Sequence, residues 1–177
     1  MNSDNKIVRN ILIFLGALLL IWLAYVIIDN NKPLPTKNKI EEIKKSNPEL
    51  SERKYKYSKD NVEINRSIFY DKNKIVKYDL QYSEVKIAES NTAGFKESLI
   101  MRLEDYNKSL KGKTGIEHTF TTEDDIITET ILYDFNKVNI KELVISKEYP
   151  YQGNPTDGIK LDILDKILKE KSYSEIK

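Results

Sequence analysis

Hydrophobic positions along this chain follow three patterns, and each predicts a different kind of element. The first is an unbroken run of 18 uncharged residues from Ile11 to Ile28, with Lys6 and Arg9 before it and Asp29 and Lys32 after it. A run with no polar face is not the surface helix of a globular domain. As a helix it reaches roughly 27 Å at about 1.5 Å per residue, close to the bilayer hydrocarbon thickness of about 30 Å. The sequence therefore predicts a transmembrane helix over Ile11–Ile28. The second pattern is alternation. Val62, Ile64, Ile68 and Tyr70 share one side of a period-two segment, and Val76, Tyr78, Leu80 and Tyr82 share one side of the next, across Asp71-Lys72-Asn73-Lys74. Ile116, His118 and Phe120 alternate before Glu123-Asp124-Asp125, and Ile127, Ile131, Tyr133 and Phe135 after it, so two β-hairpins are predicted. The third pattern is a helical stripe: Phe95, Leu99, Leu103, Tyr106 and Leu110 recur at helical steps, and Gly112 is placed to end the helix. Leu161, Ile163, Leu164, Ile167 and Leu168 form a final amphipathic helix.

These elements predict an α+β fold: a four-stranded, largely antiparallel sheet with two helices in the order ββαββα, preceded by one transmembrane helix. The stripe from Phe95 to Leu110 is expected to pack on Ile64, Ile68, Tyr78, Leu80, Ile131 and Tyr133. The predicted organisation is a cytoplasmic head (1–10), the spanning helix (11–28), a linker (29–59) and a folded domain (60–177). Pro33, Pro35 and Pro48 mark the polar linker, inside which Ile40 and Ile43 allow a short surface helix.

Trp22 spoils the cleavage site that Ala24 would offer, and a chain without cysteine has no lipobox, so the run is read as an uncleaved signal anchor. Lys6 and Arg9 favour a cytoplasmic N-terminus, whereas Lys32, Lys37, Lys39, Lys44 and Lys45 favour the reverse. Long C-terminal domains translocate largely regardless of charge. The expected location is thus the cell membrane, single-pass, held through Ile11–Ile28, with the C-terminal domain outside the cytoplasm.

Composition then narrows the chemistry. A net charge of +1 with 32% charged residues of both signs gives no field to draw nucleic acid. The absence of cysteine excludes disulfides, thiol nucleophiles and thiolate metal sites. His118 is the only imidazole, so two-histidine metal sites are excluded, and its place between Ile116 and Phe120 reads as a structural strand residue. Glu123, Asp124 and Asp125 lack the spacing of a calcium loop and read as solvated turn residues. Glu104 and Asp105 point about 100° apart on a helix and form no carboxylate pair. Lys111-Gly112-Lys113-Thr114 lacks the preceding glycine-rich loop of a phosphate cradle and reads as a helix end. No catalytic, metal-ligating or cofactor-binding set is predicted. The one suggestive stretch is Lys147-Glu148-Tyr149-Pro150-Tyr151-Gln152-Gly153-Asn154-Pro155, where Tyr149 and Tyr151 either anchor an interaction loop or fold back on the domain edge.

The closing segment Gly158 to Lys177, with its Gly-Ile, amphipathic helix and Tyr173-Ser174-Glu175-Ile176-Lys177 tail, resembles the end of the YehR-like bacterial lipoproteins. Lys74-Ile75-Val76-Lys77, Lys111-Gly112, Gly115-Ile116-Glu117, Thr130-Ile131-Leu132-Tyr133-Asp134-Phe135 and Asn139-Ile140-Lys141-Glu142-Leu143 fit the same pattern, over about Asn61–Lys177. The resemblance implies an extracytoplasmic envelope protein of unassigned function, with a spanning helix in place of the acylated cysteine. Its motifs are structural and imply no reaction. The expected function is a non-catalytic binding module meeting a protein partner or a wall-associated ligand at the envelope. The alternatives are an immunity or secretion-accessory protein that captures a toxin or substrate at the membrane, and an enzyme using carboxylates such as Glu104 or Glu129.

Overall fold

Lysines and tyrosines alternate along Ser51–Lys59, a segment whose charge hides a half-apolar strand (β1). It turns through Asp60-Asn61, where Asp60 takes φ 52°, into Val62–Tyr70 (β2). Ile75–Lys86 (β3) follows, and Ile116–Glu123 (β4) and Ile126–Asp134 (β5) form the second hairpin through Asp124-Asp125. Two short strands, Ile159–Lys160 (β6) and Ser174–Ile176 (β7), complete an antiparallel sheet of seven strands. Its order is β4-β5-β3-β2-β1-β7, and β6 pairs with Ile75 and Val76 where β5 no longer reaches. The helices are Pro35–Ser46 (α1), Ala93–Ser109 (α2), Ile140–Ile145 (α3) and Leu161–Glu170 (α4), with a single 3₁₀ turn at Pro155–Asp157. This computed structural model describes residues 35–88 and 93–176.

Both faces of the sheet are covered, which explains runs of consecutive buried residues such as Arg66 to Tyr70 and Ile131 to Phe135. On one face, α1 lays Ile43 against Phe69, Leu80 and Leu132, with Ile40, Leu50 and Tyr78 beside them. Pro35 suits the first turn of α1, where a missing N–H is no loss, and Asn47 closes its end by donating through N and Nδ2 to the Ile43 carbonyl at 2.9 and 3.1 Å. On the other face the main covering element is α4. Leu161, Leu164 and Leu168 are buried against Tyr55, Ile68, Tyr70, Val76 and Ile159, and Ile167 of the same helix is buried as well. Burial of one such leucine contributes about 1.5–3 kcal/mol.

A β-bulge decides which side chains share these faces. Phe69 lies opposite Tyr78 and Tyr70 opposite Val76, so Lys77 is the extra residue. One inserted residue reverses the alternation. Val76 therefore joins Tyr70 under α4, whereas Tyr78 and Leu80 join Phe69 under α1.

The structure corrects the expected architecture in several places. The sheet has seven strands, not four, and the described residues hold four helices besides the 3₁₀ turn, not two. The segment expected as a linker, 29–59, supplies α1 and β1, because its charged residues cover a helix and a strand that are each half apolar. The stripe of α2 cannot pack on Ile64, Ile68, Tyr78 and Leu80 together, since the bulge sends the two pairs to opposite faces. Leu103 is buried and Tyr106 reaches the core, but Phe95 is 46% exposed and Met101 60%. The expected single-pass location at the cell membrane, through a transmembrane helix serving as signal anchor, is also corrected. No helix among the described residues is long and apolar enough to cross a membrane, and the longest, α2, has 17 residues. The stretch Ile11–Ile28 itself lies outside the described residues.

Candidate functional site

Alternation along β2 runs Val62, Ile64, Arg66, Ile68, Tyr70, which puts a guanidinium in an apolar row. Such a group stays charged in a core only with a partner. Asp79 of β3, fully buried and brought to the same face by the bulge, supplies it. Arg66 Nε donates to Asp79 Oδ1 at 2.8 Å and Oδ2 at 3.0 Å, and Nη2 donates to the same Oδ2. Tyr149 closes the triad: its hydroxyl donates to Asp79 Oδ2 and accepts from Arg66 Nη2 at 3.0 Å, while its ring lies 5.4 Å from the guanidinium carbon.

The electrostatics follow from this packing. Burial alone would pull the Arg66 guanidinium down, but the Asp79 charge against it holds it well above its ordinary value. Burial, reinforced by Asp79, pushes the Tyr149 phenol far up, so it stays a neutral donor. Tyr133 of β5, edge-on to Tyr149 at 5.1 Å between ring centres, is likewise pushed up by burial and by the hydrogen bond of its hydroxyl to Tyr106, 3.3 Å away.

Above the triad the sheet and its covering elements leave a cleft of about 350 Å³. Arg66 and Tyr149 lie at its floor, Gln81 of β3 and Glu129 and Ile131 of β5 line it from the sheet, and Tyr106 comes from α2. Glu148 and Pro150 border it from the loop after α3, and Lys171 and Tyr173 from the segment after α4. Lys113 Nζ donates to Glu148 Oε1 at 2.6 Å, but Glu148 Oε2 is buried with no hydrogen-bond partner. Glu129 accepts from His118 Nε2 at 2.8 Å through Oε1 and from Ser83 Oγ at 3.1 Å through Oε2.

His118 lies on β4, in the strand its spacing predicted. Its side chain is wholly shielded, its Nδ1 lies 2.8 Å from Asn107 Oδ1, and its ring is edge-on to Tyr106 at 4.9 Å. Both ring nitrogens are thus engaged by side chains. Glu129 reaches the cleft, whereas Glu104 lies exposed on α2, so the two carboxylates do not meet. Glu123, Asp124 and Asp125 occupy the exposed hairpin turn. Gly112, at φ 83°, follows the end of α2, and Lys113 beside it is the residue that pairs with Glu148. Among the described residues no group of three or more histidine, aspartate or glutamate side chains is placed to hold a metal ion.

The loop holding Tyr149 and Tyr151 folds inward. Their exposures are 2% and 5%, and the Tyr151 hydroxyl accepts from the Lys160 backbone N–H at 3.1 Å, tying the loop to β6. Neither ring is presented at the surface. Sequence reasoning missed Arg66 and Asp79. The signal for Arg66 was legible as a charged residue at an inward position of β2, but Asp79 changes face only through the bulge at Lys77.

No family model matches the chain, and no curated protein matches it. The fold is similar to that of the E. coli YehR protein, whose NMR structure aligns with a TM-score of 0.57 and 22% identity over 72% of this chain and 91% of that one. The resemblance to YehR thus holds at the level of fold, and a lipoprotein character does not follow from it.

Proposed function

We propose that the folded domain is a non-catalytic binding module whose ligand seats in the cleft above Arg66, Asp79 and Tyr149. The observation that carries this reading is the triad itself: three buried polar side chains, mutually hydrogen-bonded, hold the floor of a 350 Å³ cleft in one arrangement. That volume is at the lower end of the range of about 300–1,000 Å³ for small-molecule sites. A fixed floor binds without first losing side-chain freedom. A non-catalytic role is supported by the wall chemistry, since the imidazole is shut off from solvent and Ser83 donates to a carboxylate, not to a base.

Protein-observed NMR of the full chain against a chemically diverse fragment set tests the reading. Fragments that bind should shift the side-chain signals of Gln81, Tyr133 and Tyr173, and Gln81→Trp, which fills the cleft, should abolish those shifts while the fold is retained. Reproducible binding confined to another surface would overturn it.

A further inference from the structure

The charged groups inside the cleft are already engaged by partners within the protein. Arg66 is neutralised by Asp79, Glu148 is paired with Lys113, and Glu129 is engaged by His118 and Ser83. Lys171 alone, exposed at the rim, has no ion pair among the described residues. A fully charged ligand would leave water for a wall with no countercharge to offer inside, or it would have to break an internal pair.

The hydrogen-bonding capacity left over is of both signs. Glu148 Oε2 is a buried acceptor without a donor, and the Gln81 amide, which has no side-chain partner among the described residues, offers both a carbonyl and an NH₂. The Tyr106 and Tyr133 hydroxyls face each other at 3.3 Å, so one is left free to donate. An ammonium only donates and a carboxylate or phosphate only accepts, whereas a hydroxyl does both. Tyrosine rings supply the rest of the surface, with Tyr106 on one side and Tyr173, packed on Tyr57 at 5.5 Å, on another. Such rings give rigid, amphipathic contact area suited to a ligand with apolar C–H faces and a polar edge.

On the reading of the cleft as a ligand site, we propose that its ligand is an uncharged polyhydroxyl compound, a free sugar or the sugar end of a glycan. Its hydroxyls bridge Gln81 to Glu148 while its ring lies against the tyrosines. Lys171 acts at the rim as a donor to an outer hydroxyl and not as a countercharge.

Titration of the full chain by NMR and calorimetry with four probes tests this: N-acetyl-D-glucosamine, its β-1,4-linked trimer, choline and L-glutamate. The expected result is that a sugar probe binds with a Kd on the order of 1 mM or tighter and shifts the Gln81 amide and the Tyr106 and Tyr173 rings. Stronger binding of the trimer identifies the glycan source, and equal binding the free sugar. Gln81→Ala and, separately, Glu148→Ala should each weaken the sugar by about tenfold, the effect of one lost hydrogen bond to a buried partner. Choline or glutamate bound in the cleft with neither sugar bound would overturn the ligand class and leave the cleft as the site. Sugar shifts mapping to another face would overturn the class and the site together, and no binding by any of the four would overturn the class.

Discussion

Replacing Asp79 by alanine isolates the energetics of the buried triad. The aspartate is fully shielded and Arg66 is 5% exposed, so the substitution leaves a guanidinium in the core with no countercharge. It removes the acceptor of the Arg66 Nε bonds at 2.8 and 3.0 Å and of the Tyr149 hydroxyl. Breaking a buried pair from one side costs about 3–5 kcal/mol. At about 1.4 kcal/mol per tenfold, the folding equilibrium constant drops by roughly two to four orders of magnitude. Urea unfolding of the full chain followed by far-ultraviolet circular dichroism reads this directly. Arg66→Met/Asp79→Leu is the control, because an apolar pair of similar volume owes no desolvation and should recover most of the loss. A cost for Asp79→Ala below about 1 kcal/mol, the scale of one ordinary hydrogen bond, would refute the reasoning. So would a double variant as unstable as the single one.

Leu164, fully buried on the inner face of α4, should cost about 2–5 kcal/mol when cut to alanine, and more than Leu103→Ala on α2, measured by the same urea midpoints. The Tyr133 phenol is held above its ordinary 10.0 by burial, so the unfolded chain loses that proton first. Its stabilising share is full below about pH 10 and is lost as pH rises further. The urea midpoint should fall above that pH, and Tyr133→Phe should make the fall shallower, whereas an unchanged slope would exclude Tyr133 as a contributor. Gly115 sits at φ 81°, and a Cβ there would lie 2.7 Å from Val138 N and 2.8 Å from Asp134 O, both backbone atoms. Gly115→Ala should therefore destabilise by at least about 1 kcal/mol, seen as a lowered thermal midpoint.

Local patterns in the sequence determined the existence of β2, β3, β4 and β5, the two long helices and the helix end near Gly112, because each is written in neighbouring residues: alternation for a strand, steps of three and four for a helix. They also placed His118 on an inward row. What they did not determine is which rows meet. Tyr78 and Leu80 read as partners of Ile64 and Ile68 until the extra residue at Lys77 turns them to the other face, and the same turn delivers Asp79 to Arg66. β1 stayed hidden because Lys, Arg and Ser dominate its local composition, and its Tyr55 has meaning only once α4 covers it; α1 was legible only as a short surface helix, and its apolar face has meaning only once Phe69, Leu80 and Leu132 lie beneath it. Tyr149 is the clearest case: on a loop of Pro and Gly it reads as surface, yet it is buried because a cation and a carboxylate 83 and 70 residues away both bond its hydroxyl. Pairing over such separations leaves no local periodicity, so only the folded chain, which brings those distant groups to one point, decides where the site is.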